Sequence, residues 1–105
     1  MGPKTRELIA ELEACSALLK SCSEAHWAAW LDDCASRLQR GDFSGIERFE
    51  GAFGGMGSIN DLLLHPINGH TLPESEVDTY NQKLRGYLSR AGSLAGYVRR
   101  NANFD

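Results

Sequence analysis

Residues 51–70, GAFGGMGSINDLLLHPINGH, decide how this chain folds. Gly51, Gly54, Gly55, Gly57 and Gly69 cluster here, between stretches that otherwise read as helix. A short domain spends backbone entropy on glycine where the chain must turn sharply or approach another backbone closely. Gly54 and Gly55 therefore end one helix. Ser58 is placed to cap a short helical turn over Ser58 to Leu64, with Asp61 facing back toward its amides and Ile59, Leu62 and Leu63 turned inward. A buried strand over the same residues has no partner for its backbone hydrogen bonds. Pro66 disfavours helix at His65, and Asn68-Gly69 marks a turn in the loop that follows.

Outward from this stretch, apolar residues recur at helical spacing. On the N-terminal side, Asp42 to Phe53 reads as a helix carrying Ile46, Phe49 and Phe53, with Ser44 and Glu47 at capping-box spacing. Before it, Glu24 to Arg40 carries Trp27, Leu31, Cys34 and Leu38, capped by Ser23 and ended by Gly41. Trp30 broadens that stripe and is also a candidate contact residue, because tryptophan is enriched at binding hot spots. The first helix runs from a Thr5 cap to Lys20, with Leu8, Leu12, Cys15 and Leu19 on one face.

On the C-terminal side, Pro73 opens the longest helix, capped by Thr71 or Ser75. Val77, Tyr80, Leu84, Tyr87, Ala91, Leu94 and Val98 form its stripe, and Leu88 and Ala95 widen it. Gly92 and Gly96, four apart, fit a second helix crossing close by. Asn101 to Asp105 form a frayed tail. The pattern predicts an all-α fold: one domain over residues 1–105, a small bundle of four main helices plus a short helix in the glycine-rich segment.

Composition narrows the function classes. Hydrophobic residues make up 42% and charged residues 24% of the chain, which suits a folded globule rather than a disordered segment. No apolar run approaches the roughly 20 residues that span a bilayer, so no membrane role is expected. Glu7, Glu11 and Glu13 stand where a signal peptide needs an uncharged core, and a cytoplasmic location follows. The net charge of −3 disfavours nucleic acid, although residues 79–104 hold five basic side chains and no acidic one. Cys15, Cys22 and Cys34 form no CxxC pair, so no metal and no cofactor are expected, and the thiols read as reduced and half-buried.

Ser58, Asn60, Asp61, His65, Asn68 and His70 are the densest polar set. A hydrolase-like enzyme built on Ser58, Asp61, His65 and His70 is the alternative reading. The G-x-S-x-G elbow is absent, and capping accounts for Ser58 and Asp61 without chemistry. GGMGS also suggests a phosphate loop, but Asn60 and Asp61 stand where a lysine is needed. Gly55, Gly57, Ser58, Asn60 and Asp61 thus read as a structural motif.

Gly55-Met56-Gly57-Ser58-Ile59-Asn60-Asp61-Leu62, then Asn68-Gly69-His70 and a long amphipathic helix, resembles a family of small bacterial proteins of uncharacterised function. Its members share a G-M-G-S-x-N-D core, and the match covers roughly residues 45–98. In size and character that family resembles the immunity proteins encoded beside toxins of interbacterial competition. The resemblance implies a non-enzymatic protein-binding module that neutralises a cognate toxin. The candidate contact residues are Glu24, Trp30, Asp32, Asp33, Asp42, Glu47 and Glu50, all acidic but Trp30 and suited to a basic active site. A homodimer through the last helix is a further alternative.

Overall fold

The structure, a computed structural model, describes residues 1–101. It is all-α, as the periodicity predicts, with four helices: α1 (Pro3–Ser21), α2 (Ala25–Gln39), α3 (Ser44–Glu50) and α4 (Val77–Arg100). Three single 3-10 turns, Ile59–Asp61, Pro66–Asn68 and Glu74–Glu76, punctuate the α3–α4 connector. The expected frayed tail falls, beyond Asn101, outside the described residues.

α1 is the centre of the bundle. It packs against α2 on one side and α4 on the other, and α3 packs on α2. The reason is its stripe: Leu8, Leu12, Cys15 and Leu19 are each at most 1% exposed. Burying one such side chain stabilises by about 1.5–3 kcal/mol, so this row anchors both neighbours. Leu31, Cys34 and Leu38 answer it from α2. From α4 the most buried residues are Asn81, Leu84, Leu88, Ala91, Ala95 and Val98. The α4 stripe is therefore rotated from the predicted one. Leu88 and Ala95 are core, while Tyr80, Tyr87 and Leu94 sit half-buried at its edge.

Several helix boundaries differ from expectation, each because a different group satisfies the end. α1 begins two residues early, with Pro3 in its first turn, and Thr5 is buried inside it. Glu24, not Ser23, caps α2 by accepting the Trp27 N–H at 3.2 Å. At Ser44 the capping box does not form. Asp42 Oδ1 accepts the Ser44 N–H at 2.9 Å, and the Ser44 hydroxyl accepts from Arg37. The third helix ends at Glu50, before Phe53. No side-chain cap forms at α4, whose N-cap is Glu76.

The close helix approach is at Gly45, not at Gly92 and Gly96. A methyl at Gly45 would lie 2.7 Å from the Cys34 carbonyl oxygen and 2.9 Å from Leu38 Cγ. Gly92 has nothing within 4 Å of that position, and Gly96 meets only the Arg100 guanidinium. No helix crosses α4 at these two glycines.

Ser58 to Leu64 is not a short helix. One 3-10 turn covers Ile59–Asp61, and the backbone is extended at Leu62. The inward residues are consequently Ile59 (1% exposed) and Leu64 (0%), with Leu62 half-buried against the core, whereas Leu63 is 44% exposed.

Candidate functional site

The α3–α4 connector holds most of the polar residues singled out above, and it contains two separately braced loops. In the first, residues 54–57, φ is +98° at Gly54, +56° at Gly55 and +81° at Gly57, a left-handed region that side chains resist. Polar side chains fix this shape from below. Asn60 Oδ1 accepts the Gly54 N–H at 3.4 Å, and Asp61 Oδ2 accepts the Gly57 N–H at 3.2 Å. The Ser58 hydroxyl donates to the Gly55 carbonyl at 2.8 Å and also lies against Asn60 Oδ1. Gly55, Gly57, Ser58, Asn60 and Asp61 thus form one self-bonded unit, with Ser58 bracing the loop rather than capping the turn.

The second loop, residues 65–72, is organised around His70. Its Nδ1 accepts the His65 N–H at 3.1 Å, which places the proton of the neutral ring on Nε2. Nε2 then donates to Glu24 Oε1 at 3.1 Å, while Glu24 Oε2 caps α2. Both His70 nitrogens and both Glu24 oxygens are occupied. The His70 side chain is 7% exposed and that of Glu24 15%. His65 Nδ1 accepts the Ile67 N–H at 3.0 Å. Thr71 ties the loop to the α1–α2 corner: its N–H donates to the Cys22 carbonyl at 2.9 Å, and its hydroxyl shares a hydrogen bond with Ser23.

The hydrolase set is therefore divided between two loops. Ser58 and Asp61 brace the first; His65 and His70 brace the second. The serine hydroxyl bonds to Gly55 and Asn60, so neither histidine is its hydrogen-bond partner. Among the described residues no group of three His, Cys, Asp or Glu is placed to hold a metal ion. All three cysteines are buried, deeper than expected. Burial pushes the Cys15 thiol up to about 12, with Glu11 adding to it. It also pushes Cys34 up to about 12, Arg48 opposing and Asp33 reinforcing. Neither is a ready nucleophile.

The candidate contact residues spread over α2 and α3, and most have partners inside the chain. Asp32 pairs with Lys20 at 2.7 Å. Burial raises its carboxyl, but hydrogen bonds from Lys20 and Ser16 hold it below the ordinary range. Asp33 pairs with Arg37 Nε at 2.9 Å and with Arg48 Nε at 2.6 Å, the latter at an angle too poor for a hydrogen bond. Arg48 also stacks on Trp30, 4.1 Å from the ring centroid, and its carbonyl accepts the indole N–H at 2.9 Å. Trp30 thereby joins α2 to α3 while staying half-buried. Glu50 pairs with Arg99 of α4, Asp42 caps locally, and Glu47 is exposed.

Residues that sequence reasoning missed are Asn81, which secures the connector to α4, and the Glu24–His70 pair. Isolated polar residues 46 positions apart carry no sequence signal of their pairing. No helix among the described residues is long and apolar enough to cross a membrane.

Residues 20–73 match the model of a family described as a domain of unknown function, DUF6966. The matched stretch contains α2, α3 and both braced loops, and it leaves out most of α1 and all of α4. No curated protein and no solved structure matches the chain.

Proposed function

We propose that this chain, which belongs to the DUF6966 family, is a small cytoplasmic protein-binding module, most concretely an immunity protein that neutralises a cognate bacterial toxin by occluding it. The observation that carries this reading is how the polar atoms of the connector are used. Both nitrogens of His70, the hydroxyl of Ser58 and a carboxylate oxygen of Asp61 hold backbone or a neighbouring side chain in place. A general base or nucleophile needs a free atom aimed at a substrate. Here those atoms are committed to rigidity, and a rigid surface is what a stoichiometric inhibitor requires.

The surface is acidic along α2 and α3. Asp32 and Glu47 lie on it; Asp32 pairs with Lys20 of α1, but at a solvated site, where such a pair contributes little to holding α1 and α2 together. Complementary charge mainly raises the association rate. Asp33 is a poor site for a charge-reversal test, because it neutralises two arginines that join α2 to α3.

The experiment is surface plasmon resonance between the purified chain and the toxin domain encoded beside its gene. The expected result is a stable complex. Asp32→Lys with Glu47→Lys should slow association by about tenfold at low salt. Absence of a complex with the wild-type chain overturns the reading. An unaltered association rate removes the acidic face from the interface.

A further inference from the structure

Six large apolar side chains are markedly exposed among the described residues, and three of them, Met56, Leu63 and Ile67, lie in the α3–α4 connector. Met56 is 99% exposed and Ile67 84%. A single apolar residue on a helix surface needs no explanation. What sets these two apart is the scaffolding beneath them.

The first loop holds three residues at positive φ and uses three polar side chains to keep them there. It gains no packing in return: Gly54, Gly55 and Gly57 each have nothing within 4 Å of a Cβ position. Left-handed backbone at several successive residues is unfavourable unless something fixes it. The visible result of this arrangement is that Met56 is held clear of the rest of the chain. The second loop is built the same way. The His65 ring accepts the Ile67 N–H, and Asn68 Nδ2 donates to the Leu63 carbonyl at 3.1 Å. Both loops hang from the buried anchors Ile59 and Leu64.

Charge completes the picture. From Phe49 to Gln82 the sequence has Glu50, Asp61, Glu74, Glu76 and Asp78, and no lysine or arginine. The connector thus joins apolar tips to a segment whose lysine- and arginine-free sequence is acidic, with Glu50 pairing with Arg99 and Asp61, Glu74, Glu76 and Asp78 exposed.

We propose that the α3–α4 connector is the contact edge of this chain, with Met56 and Ile67 entering an apolar cleft rimmed by basic side chains on a protein partner. The inference rests on the protein-binding reading above and names where that binding happens. Rigid loops lower the ordering cost of association. The unbranched thioether of Met56 adapts to the shape of a cleft. The carboxylates on α2 and α3 then govern how fast the partners meet, and the two tips govern how long they stay together.

The test uses the full chain and the toxin domain encoded beside its gene. Met56→Ser with Ile67→Ser should raise the dissociation rate about tenfold or more, leaving the association rate within about twofold. Both side chains are exposed, so the melting temperature should stay at the wild-type value. Met56→Leu with Ile67→Val should restore slow dissociation, as apolar contact requires. A smaller change in dissociation for the serine variant overturns this proposal while a wild-type complex still supports the binding reading. No complex with the wild-type chain overturns both.

Discussion

The side-chain amide of Asn81 pairs with both backbone groups of Leu64. Its Oδ1 accepts the Leu64 N–H at 2.9 Å, and its Nδ2 donates to the Leu64 carbonyl at 2.9 Å and to Val77 at 2.8 Å. An extended segment normally needs a neighbouring strand to satisfy its backbone. Here one asparagine on α4 does what a strand would do, and Asn81 is only 4% exposed. This is how Leu64 reaches the core without a sheet, and how the connector is fixed to the last helix.

Asn81→Leu should therefore strand a buried donor and a buried acceptor. Each such group costs about 1–3 kcal/mol, so a loss of about 2–5 kcal/mol is expected in urea unfolding. A loss below about 1 kcal/mol would mean that the Leu64 backbone finds water instead.

The glycines divide by what surrounds them, and two substitutions should move stability in opposite directions. Gly45→Ala forces a methyl against the Cys34 carbonyl and Leu38, an overpacking that costs about 1–3 kcal/mol. Gly92→Ala adds a methyl in open space inside α4, worth about 0.5–1 kcal/mol of stabilisation. Thermal unfolding of the two variants checks both signs, and a stabilised Gly45→Ala would contradict the α2–α3 contact.

The fold was legible where the physics is local. Three-four spacing placed all four helices, because a stripe such as Leu8, Leu12, Cys15 and Leu19 has only one way to be buried together. Helix ends were misread where a longer-range or less usual group took over. Glu24 caps α2 because its other oxygen is held by His70, far along the chain. The Gly92 and Gly96 spacing suggests a helix crossing α4 that does not occur, and the close approach at Gly45, between α3 and α2, carries no such spacing. In the connector, residue types pointed to a braced turn and Asn60 and Asp61 do brace it, but the division of Ser58 from the histidines depends on tertiary position.

Asp42 gives the chain an acid-sensitive joint. Hydrogen bonds from the Ser44 hydroxyl and amide hold its carboxyl below the ordinary carboxylate range, aided by Arg37 and Arg40. A depressed folded pKa means that the stabilisation is present above the unfolded value, near 3.9, and is lost as pH falls through the folded value. The stability difference between wild type and Asp42→Ala should accordingly be constant from pH 5 to 7 and narrow below about pH 4. A difference that grows on acidification would refute the assignment.

The thiols should report unfolding. Cys15 and Cys34 are buried and pushed up to about 12, and Cys22 is 0% exposed. Iodoacetamide reacts with thiolate, so at pH 8 native labelling of Cys15 and Cys34 should proceed only as fast as the chain opens. Mass spectrometry at rising urea should show the two sites becoming labelled together at the unfolding midpoint. Early labelling of either alone would reveal a separately opening helix.

Ser23 occupies the place after α1 that glycine holds after α2. Its φ is +62°, and Glu24 N–H bonds back to Leu19 at 2.8 Å, the same closure that Gly41 and Asp42 make with Leu38 and Arg37. A left-handed residue with a Cβ costs about 1–2 kcal/mol, while the exposed hydroxyl contact from Ser23 to Thr71 returns about 0.5–1 kcal/mol. Ser23→Gly should therefore stabilise by about 0.5–1 kcal/mol, the strain outweighing the lost contact. Thr71→Val, which removes the contact and leaves the strain, should destabilise by a similar amount. If Ser23→Gly lowers the melting temperature, the Ser23–Thr71 contact is the stronger term, and the α1–α2 corner is held chiefly by the His70 loop.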